Sequence, residues 1–227
     1  MSMLSKFNHY YIHIKGNRWY WYFSIFCRVS LAIGFFVAGM VKIMGERFAS
    51  GLSEVHPMGA YLEALHHTGY YYTFIGIAQV VAALLLMIPR TVTLGALLYF
   101  PIIINIWILS FAVRFEGSFV SSPLMVLANL YILVWNYDKL KYLLPFKNVP
   151  DFGIMKRPEK YNNKFPFKFF AGVIATVGIT ITLFIYGHTV MPRNSLKDCN
   201  QQFIGTDKEA VGFDFCECIH KKGKSLN

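Results

Sequence analysis

Arg28 is the residue around which chemistry could be built. It stands near the middle of a long apolar run, Trp19 to Met44. A full cation at that depth of a bilayer costs at least ~2.5–3.5 kcal/mol and ordinarily faces a bundle interior or a wet cavity, with a partner. Helical rise along the apolar runs puts Gln79 at nearly the depth of Arg28, Asn129 slightly nearer one end and Asn105 somewhat further in. No carboxylate lies in that layer. Interhelical amide bonds worth about 0.6 kcal/mol each are common glue in membranes, which suits Asn105 and Asn129. A cation paired only with amides suits a site for an anionic or carbonyl-bearing ligand, such as a quinone oxygen or a lipid headgroup.

The cysteines are the second candidate set. Cys27 adjoins Arg28, whereas Cys199, Cys216 and Cys218 cluster near the C-terminus. Three cysteines in one segment leave one over after a single bridge. Cys199 could staple the segment to Cys216 or Cys218. Cys216 and Cys218 could instead form a small strained bridge, of the kind that exchanges with partner thiols. Metal binding in the tail is a third alternative, but Cys-x-Cys near His220 is too small a set to assign zinc. Glu63, His66 and His67 have the Glu-x-x-His spacing of di-iron bundles, but no further carboxylates accompany them in the apolar runs. The expectation there is a surface helix and no metal. The chain has no phosphate-binding glycine loop, nucleophile elbow or haem-attachment motif, so no catalytic residue is assigned.

These residues must be positioned by membrane spans. Hydrophobic residues make up 55% of the chain, charged residues only 15%, and mean hydropathy is +0.41. That fits a multi-spanning membrane protein. The net charge of +10 does not point to nucleic acid, because the basic residues cluster beside apolar runs, where they report orientation. Residues 1–18 hold Lys6, Lys15 and Arg18 without an acid and read as a cytoplasmic N-terminus. No cleavable signal peptide is expected, since the first run is too long for an h-region.

Four spans over 19–137 form the expected bundle. The first ends at Lys42, whose side chain is expected to snorkel to the far interface. A loop with an amphipathic interfacial segment follows. The second span opens at Tyr70, Tyr71 and Tyr72 and closes at Pro89-Arg90, a turn short enough to make its neighbour antiparallel. The third contains Pro101, which removes a backbone bond, and the fourth is interrupted by Ser121, Ser122, Asn129 and Asn136. Residues 138–168 form a basic cytoplasmic connection. A fifth span over 169–191 carries Gly172, Gly178 and Gly187, small residues that permit close helix contact. A polar tail, 192–227, ends the chain. The basic segments then share one side, so the N-terminus is cytoplasmic and the cysteine-bearing tail lies outside, where disulfides persist.

The stretch CRVSLAIGFFVAGMVKI resembles the first span of DoxX-like membrane proteins, with Arg28 opening a small-residue run that ends in Gly39-x-x-Lys42. The resemblance continues through GIAQVVAALLLMIPRTVTLGALL, where Gly76, Gln79 and Gly95 occupy family positions, and through the polar fourth span, covering roughly residues 19–144. Many relatives have Glu where this chain has Gln79, so a proton-transfer role there is not carried over. The resemblance implies an all-α, four-helix bundle in the bacterial cytoplasmic membrane, associated with quinone- or thiol-linked redox systems. It does not reach the fifth span or the tail.

Two functions are carried forward. In the first, the chain is a redox-associated subunit in which Arg28, Gln79, Asn105 and Asn129 line a quinone site and the tail thiols meet a membrane or periplasmic partner. In the second, it is a non-catalytic scaffold or assembly factor of a larger membrane complex. A transporter is disfavoured by the lack of an inverted repeat.

Overall fold

The computed structural model describes residues 10–52, 56–113, 115–143, 161–186 and 195–222. They are helical, with an isolated bridge between Asn17 and Asn162 as the one β contact among them. The chain divides into two compact units, Met1–Val177 and Gly178–Asn227.

In the first unit a short helix α1 (residues 10–15) precedes α2 (Arg18–Ile43). Asn17 starts α2 by accepting the Trp19 N–H at 2.9 Å, satisfying one of the orphan donors of a helix N-terminus. After α2 come α3 (Pro57–His66), α4 (Tyr70–Met87) and α5 (Val92–Ala112). His56 caps α3 with its ring nitrogen, and Pro57 occupies the first turn, where its missing N–H costs nothing. The polar fourth segment is not one uninterrupted helix: a short α6 (Glu116–Phe119) leads into α7 (Ser121–Trp135), and α8 (Tyr137–Leu140) follows. Pro101 lies inside α5, which continues through it.

Among the described residues, four helical segments are long and apolar enough to cross a membrane: α2 (Arg18–Ile43), α4 (Tyr70–Met87), α5 (Val92–Ala112) and Gly117–Trp135, the last running from α6 across the break at Val120 into α7. The protein is a multi-pass membrane protein. α2 packs on α4 and α7, and α5 packs on α4 and α7, so the four spans close into a bundle. α9 (Phe167–Tyr186) is apolar, but residues 187–191 of the expected fifth span lie outside the described residues. The boundary between the two units falls within α9.

The bundle core is Leu31, Phe35, Ala82, Leu86, Ala96, Tyr99, Ile103 and Ile132, all essentially inaccessible. Two close approaches give it its geometry. A Cβ on Gly39 would lie 2.7 Å from the Gly76 carbonyl oxygen, and one on Gly76 would lie 2.8 Å from the Gly39 oxygen, so α2 and α4 touch backbone to backbone. A Cβ on Gly95 would come 2.7 Å from the Leu86 nitrogen and seals α5 against the end of α4 in the same way. Small residues allow this proximity, which dispersion then rewards.

The end of the bundle carrying α1 is tied by polar bonds and aromatic edges. Tyr11 and Lys15 both reach the buried Asp138 of α8, at 2.9 and 3.3 Å, which fastens α1 to α8. Burial, and then the Asp138 carboxylate, push the Tyr11 phenol far above its usual range and keep it protonated. Phe169 meets Tyr20, Phe23 and Tyr131 edge-on or tilted, so the start of α9 packs on α2 and α7.

The second unit contains α10 (Leu196–Gln201) and α11 (Glu209–Lys222), joined through a turn in which Gly205 has φ +76°. Cys199 of α10 is disulfide-bonded to Cys216 of α11, and Cys218 stays outside that bridge. Ser195 and Asp198 form a reciprocal capping box. Hydrogen bonds from the Ser195 side chain and then its backbone hold the Asp198 carboxyl below its usual value. The contribution of this cap to stability is therefore present above the unfolded carboxyl pKa of about 3.9 and is lost as pH falls through the lower folded value. Amide protection at the start of α10, taken relative to the unfolded peptide at each pH, is expected to fall only below about pH 4, and Asp198→Asn should remove that pH dependence. Protection already falling near neutrality would contradict this account.

Candidate functional site

A cavity of about 560 Å³ lies among α2, α4, α5 and α7, with residues of α3 and the loop after α2 also lining it. Its size falls within the ~300–1,000 Å³ range of small-molecule sites. The walls are apolar, including Phe35, Phe74, Pro101, Ile102 and Met125.

The charge in this cavity comes from Lys42, the only charged side chain among its described lining residues. Lys42 does not snorkel to the interface, as expected from its place at the end of the first span. It is 7% exposed and continues the buried stripe Ser24, Cys27, Leu31, Phe35 and Gly39, at spacings of three and four residues, into the bundle. Its Nζ donates to the Ala38 carbonyl at 2.9 Å and sits 4.5 Å from the centre of the Phe48 ring. No carboxylate pairs with it among the described residues. An ammonium has three donors, so donors remain for a ligand. The sequence signal for this inward turn was the helical phase of residue 42, which matches that of Phe35 and Gly39.

Gln79 is brought to the same cavity by the Gly39–Gly76 contact, one turn along α4. It is 2% exposed, and its Oε1 is buried without a hydrogen-bond partner. An unmet buried acceptor costs about 1–3 kcal/mol, which a donor on a bound molecule would recover. Asn105 lines the cavity from α5 and is exposed to it. Ser110 and Ser122 also line it. Ser110 donates its hydroxyl proton to the Ile106 carbonyl within α5 and Ser122 to the Ser118 carbonyl of α6, so both can act toward a ligand only as acceptors. Tyr61 of α3 completes the polar rim, its phenol held above the usual value by burial and then by Tyr71.

Arg28 and Asn129 are placed elsewhere, so the four expected residues do not form one layer. Arg28 reaches to the end of α4, donating Nε to the Leu86 carbonyl at 2.9 Å and Nη2 to the Met87 carbonyl at 3.0 Å. Those carbonyls lie about two turns beyond Gln79. They are the orphan acceptors of a helix C-terminus, and a guanidinium fork suits two of them at once. Asn129 is fully buried between α5 and α7, donating to the Ala96 carbonyl at 3.0 Å, with its Oδ1 unpartnered.

No family model and no solved structure matches the chain. It is 34% identical over 128 residues to the uncharacterized protein YwoB of Bacillus subtilis (strain 168), an alignment covering 54% of this chain and 81% of that protein. The chain belongs to the YwoB family. As a member of the YwoB family it carries a substantial part of its length outside the alignment, so a shared function rests on the aligned portion.

Proposed function

We propose that this protein is a DoxX-like, redox-associated subunit of a bacterial cytoplasmic membrane complex, holding a quinone-like amphiphile in the cavity beside Lys42 and Gln79. The observation that carries this reading is the buried Lys42 ammonium, without an acidic partner among the described residues, facing a largely apolar cavity that also contains the Gln79 Oε1, buried with no described hydrogen-bond partner. A quinone carbonyl accepts from Lys42, and the hydroxyl of the reduced form donates to Gln79. The two side chains thus offer complementary contacts to both redox states. In this reading α9 with residues 187–191 is a fifth span, the N-terminus is cytoplasmic and the disulfide-bonded tail faces an oxidising compartment and a membrane or periplasmic partner.

The test is gentle purification followed by extraction and mass spectrometry of bound small molecules and proteins, for wild type, Lys42→Met and Arg28→Ala. Wild type and Arg28→Ala should carry a quinone-class compound, and Lys42→Met should carry about tenfold less, the equivalent of about 1.4 kcal/mol. Equal quinone content in wild type and Lys42→Met would remove the site. A stable protein partner without quinone in any sample would favour the scaffold reading. That alternative has one observation of its own: a Cβ on Gly172 of α9 would meet no described atom within 4 Å, leaving that face open for a neighbouring helix.

A further inference from the structure

We propose that Glu63, His66 and His67 form a binding site for a single divalent transition-metal ion of the zinc class. Glu-x-x-His-His spacing alone does not bring three donors together. Here one donor atom from each residue lies within 4.8 Å of the other two. Glu63 Oε1 and His67 Nε2 are already 2.9 Å apart.

The groups around these three residues have the character of an outer shell. A metal-bound histidine ordinarily donates its second ring N–H to a carbonyl or carboxylate, and a metal-bound carboxylate is itself hydrogen-bonded. His66 Nε2 lies 2.9 Å from the Gly45 carbonyl, a contact that requires the ring to donate and leaves Nδ1 as its lone pair. The Tyr72 ring packs edge-on at 5.3 Å and fixes that imidazole. Arg47 Nη1 holds Glu63 Oε2 at 2.9 Å, while its Nη2 is bound to the Ser50 and Leu52 carbonyls at 2.8 Å each. Arg47 therefore orients the carboxylate and leaves Oε1 on the side of His67.

Two neutral imidazoles and one carboxylate make the donor set of open zinc sites, with a fourth position for water. Nitrogen donors select zinc-class ions over magnesium or calcium. The site stands independently of the quinone reading. It is connected to the cavity through α3, which also presents Tyr61, Leu62 and Leu65 to it, so a bound ion would stiffen a wall of that cavity.

The experiment is a zinc titration of the untagged, metal-stripped full chain in detergent against a chelating dye, with cobalt absorption as a second readout. Wild type should take up one equivalent. His67→Ala and Glu63→Gln should each weaken it about tenfold or more, and Cys218→Ser should leave it unchanged. The His67 side chain is 73% exposed, so its removal tests the ligand without breaking packing, and thermal unfolding of the metal-free variant should match wild type. No uptake by wild type, unchanged uptake by His67→Ala, or loss that follows Cys218→Ser instead would overturn the site.

Discussion

Gly76→Val is expected to destabilise the bundle by about 3 kcal/mol, at the upper end of overpacking penalties. Even the first carbon of a side chain there would lie 2.8 Å from the Gly39 carbonyl oxygen and 2.8 Å from Lys42 Cβ. One of those atoms is backbone and cannot swing aside, so α2 and α4 must separate. Gly39→Val should behave alike, since its Cβ would meet the Gly76 oxygen at 2.7 Å and Val80 Cγ2 at 2.8 Å. Separation also withdraws Lys42 from Gln79, so any residual folded protein should bind the cavity ligand poorly. Gly172→Val is the matched control, because its Cβ meets no described atom within 4 Å. Thermal unfolding in detergent reads all three. A Gly76→Val protein as stable as Gly172→Val would show that the two backbones are not in contact.

Arg28→Ala should cost a comparable amount for a different reason. Its fork supplies charge-assisted hydrogen bonds to Leu86 O and Met87 O, the last carbonyls of α4. Hydrogen bonds to charged groups contribute about 1.5–3 kcal/mol each, and carbonyls left unpaired at membrane depth are penalised further. Arg28→Lys should restore part of the loss, since an ammonium can reach one carbonyl but lacks the planar fork. Unfolding temperature should fall in Arg28→Ala and recover partly in Arg28→Lys, while ligand content per folded molecule stays at the wild-type value. Ligand lost from Arg28→Ala with stability unchanged would move Arg28 from positioning α4 to contacting the ligand.

The sequence by itself determined the four membrane-crossing helices. Bilayer thickness demands an apolar run of about 20 residues, and nothing in the tertiary structure is needed to recognise one. The tight link at Pro89-Arg90 was readable in the same way, because a short turn forces antiparallel neighbours. Depth was readable too, and it placed Gln79 and Asn105 within the bundle. Rotation was not, because depth along a helix does not say which neighbour a side chain faces. Lys42 at a span's end has the pattern of a snorkelling lysine, yet the Gly39–Gly76 contact turns that face of α2 inward and Phe48 covers it. Arg28 is long enough to pass the amides at its own depth and take the ends of another helix. The break between α6 and α7 stands three residues before Pro123, whose missing N–H and ring withhold a bond to the Phe119 carbonyl, so its cause is local and was present in the sequence. Which cysteine meets Cys199 was undecided while Cys216 and Cys218 stood two residues apart; the facing of α10 and α11 selected Cys216. Composition and length set what must be buried in lipid, and only helix-to-helix contact decided which polar groups face the cavity.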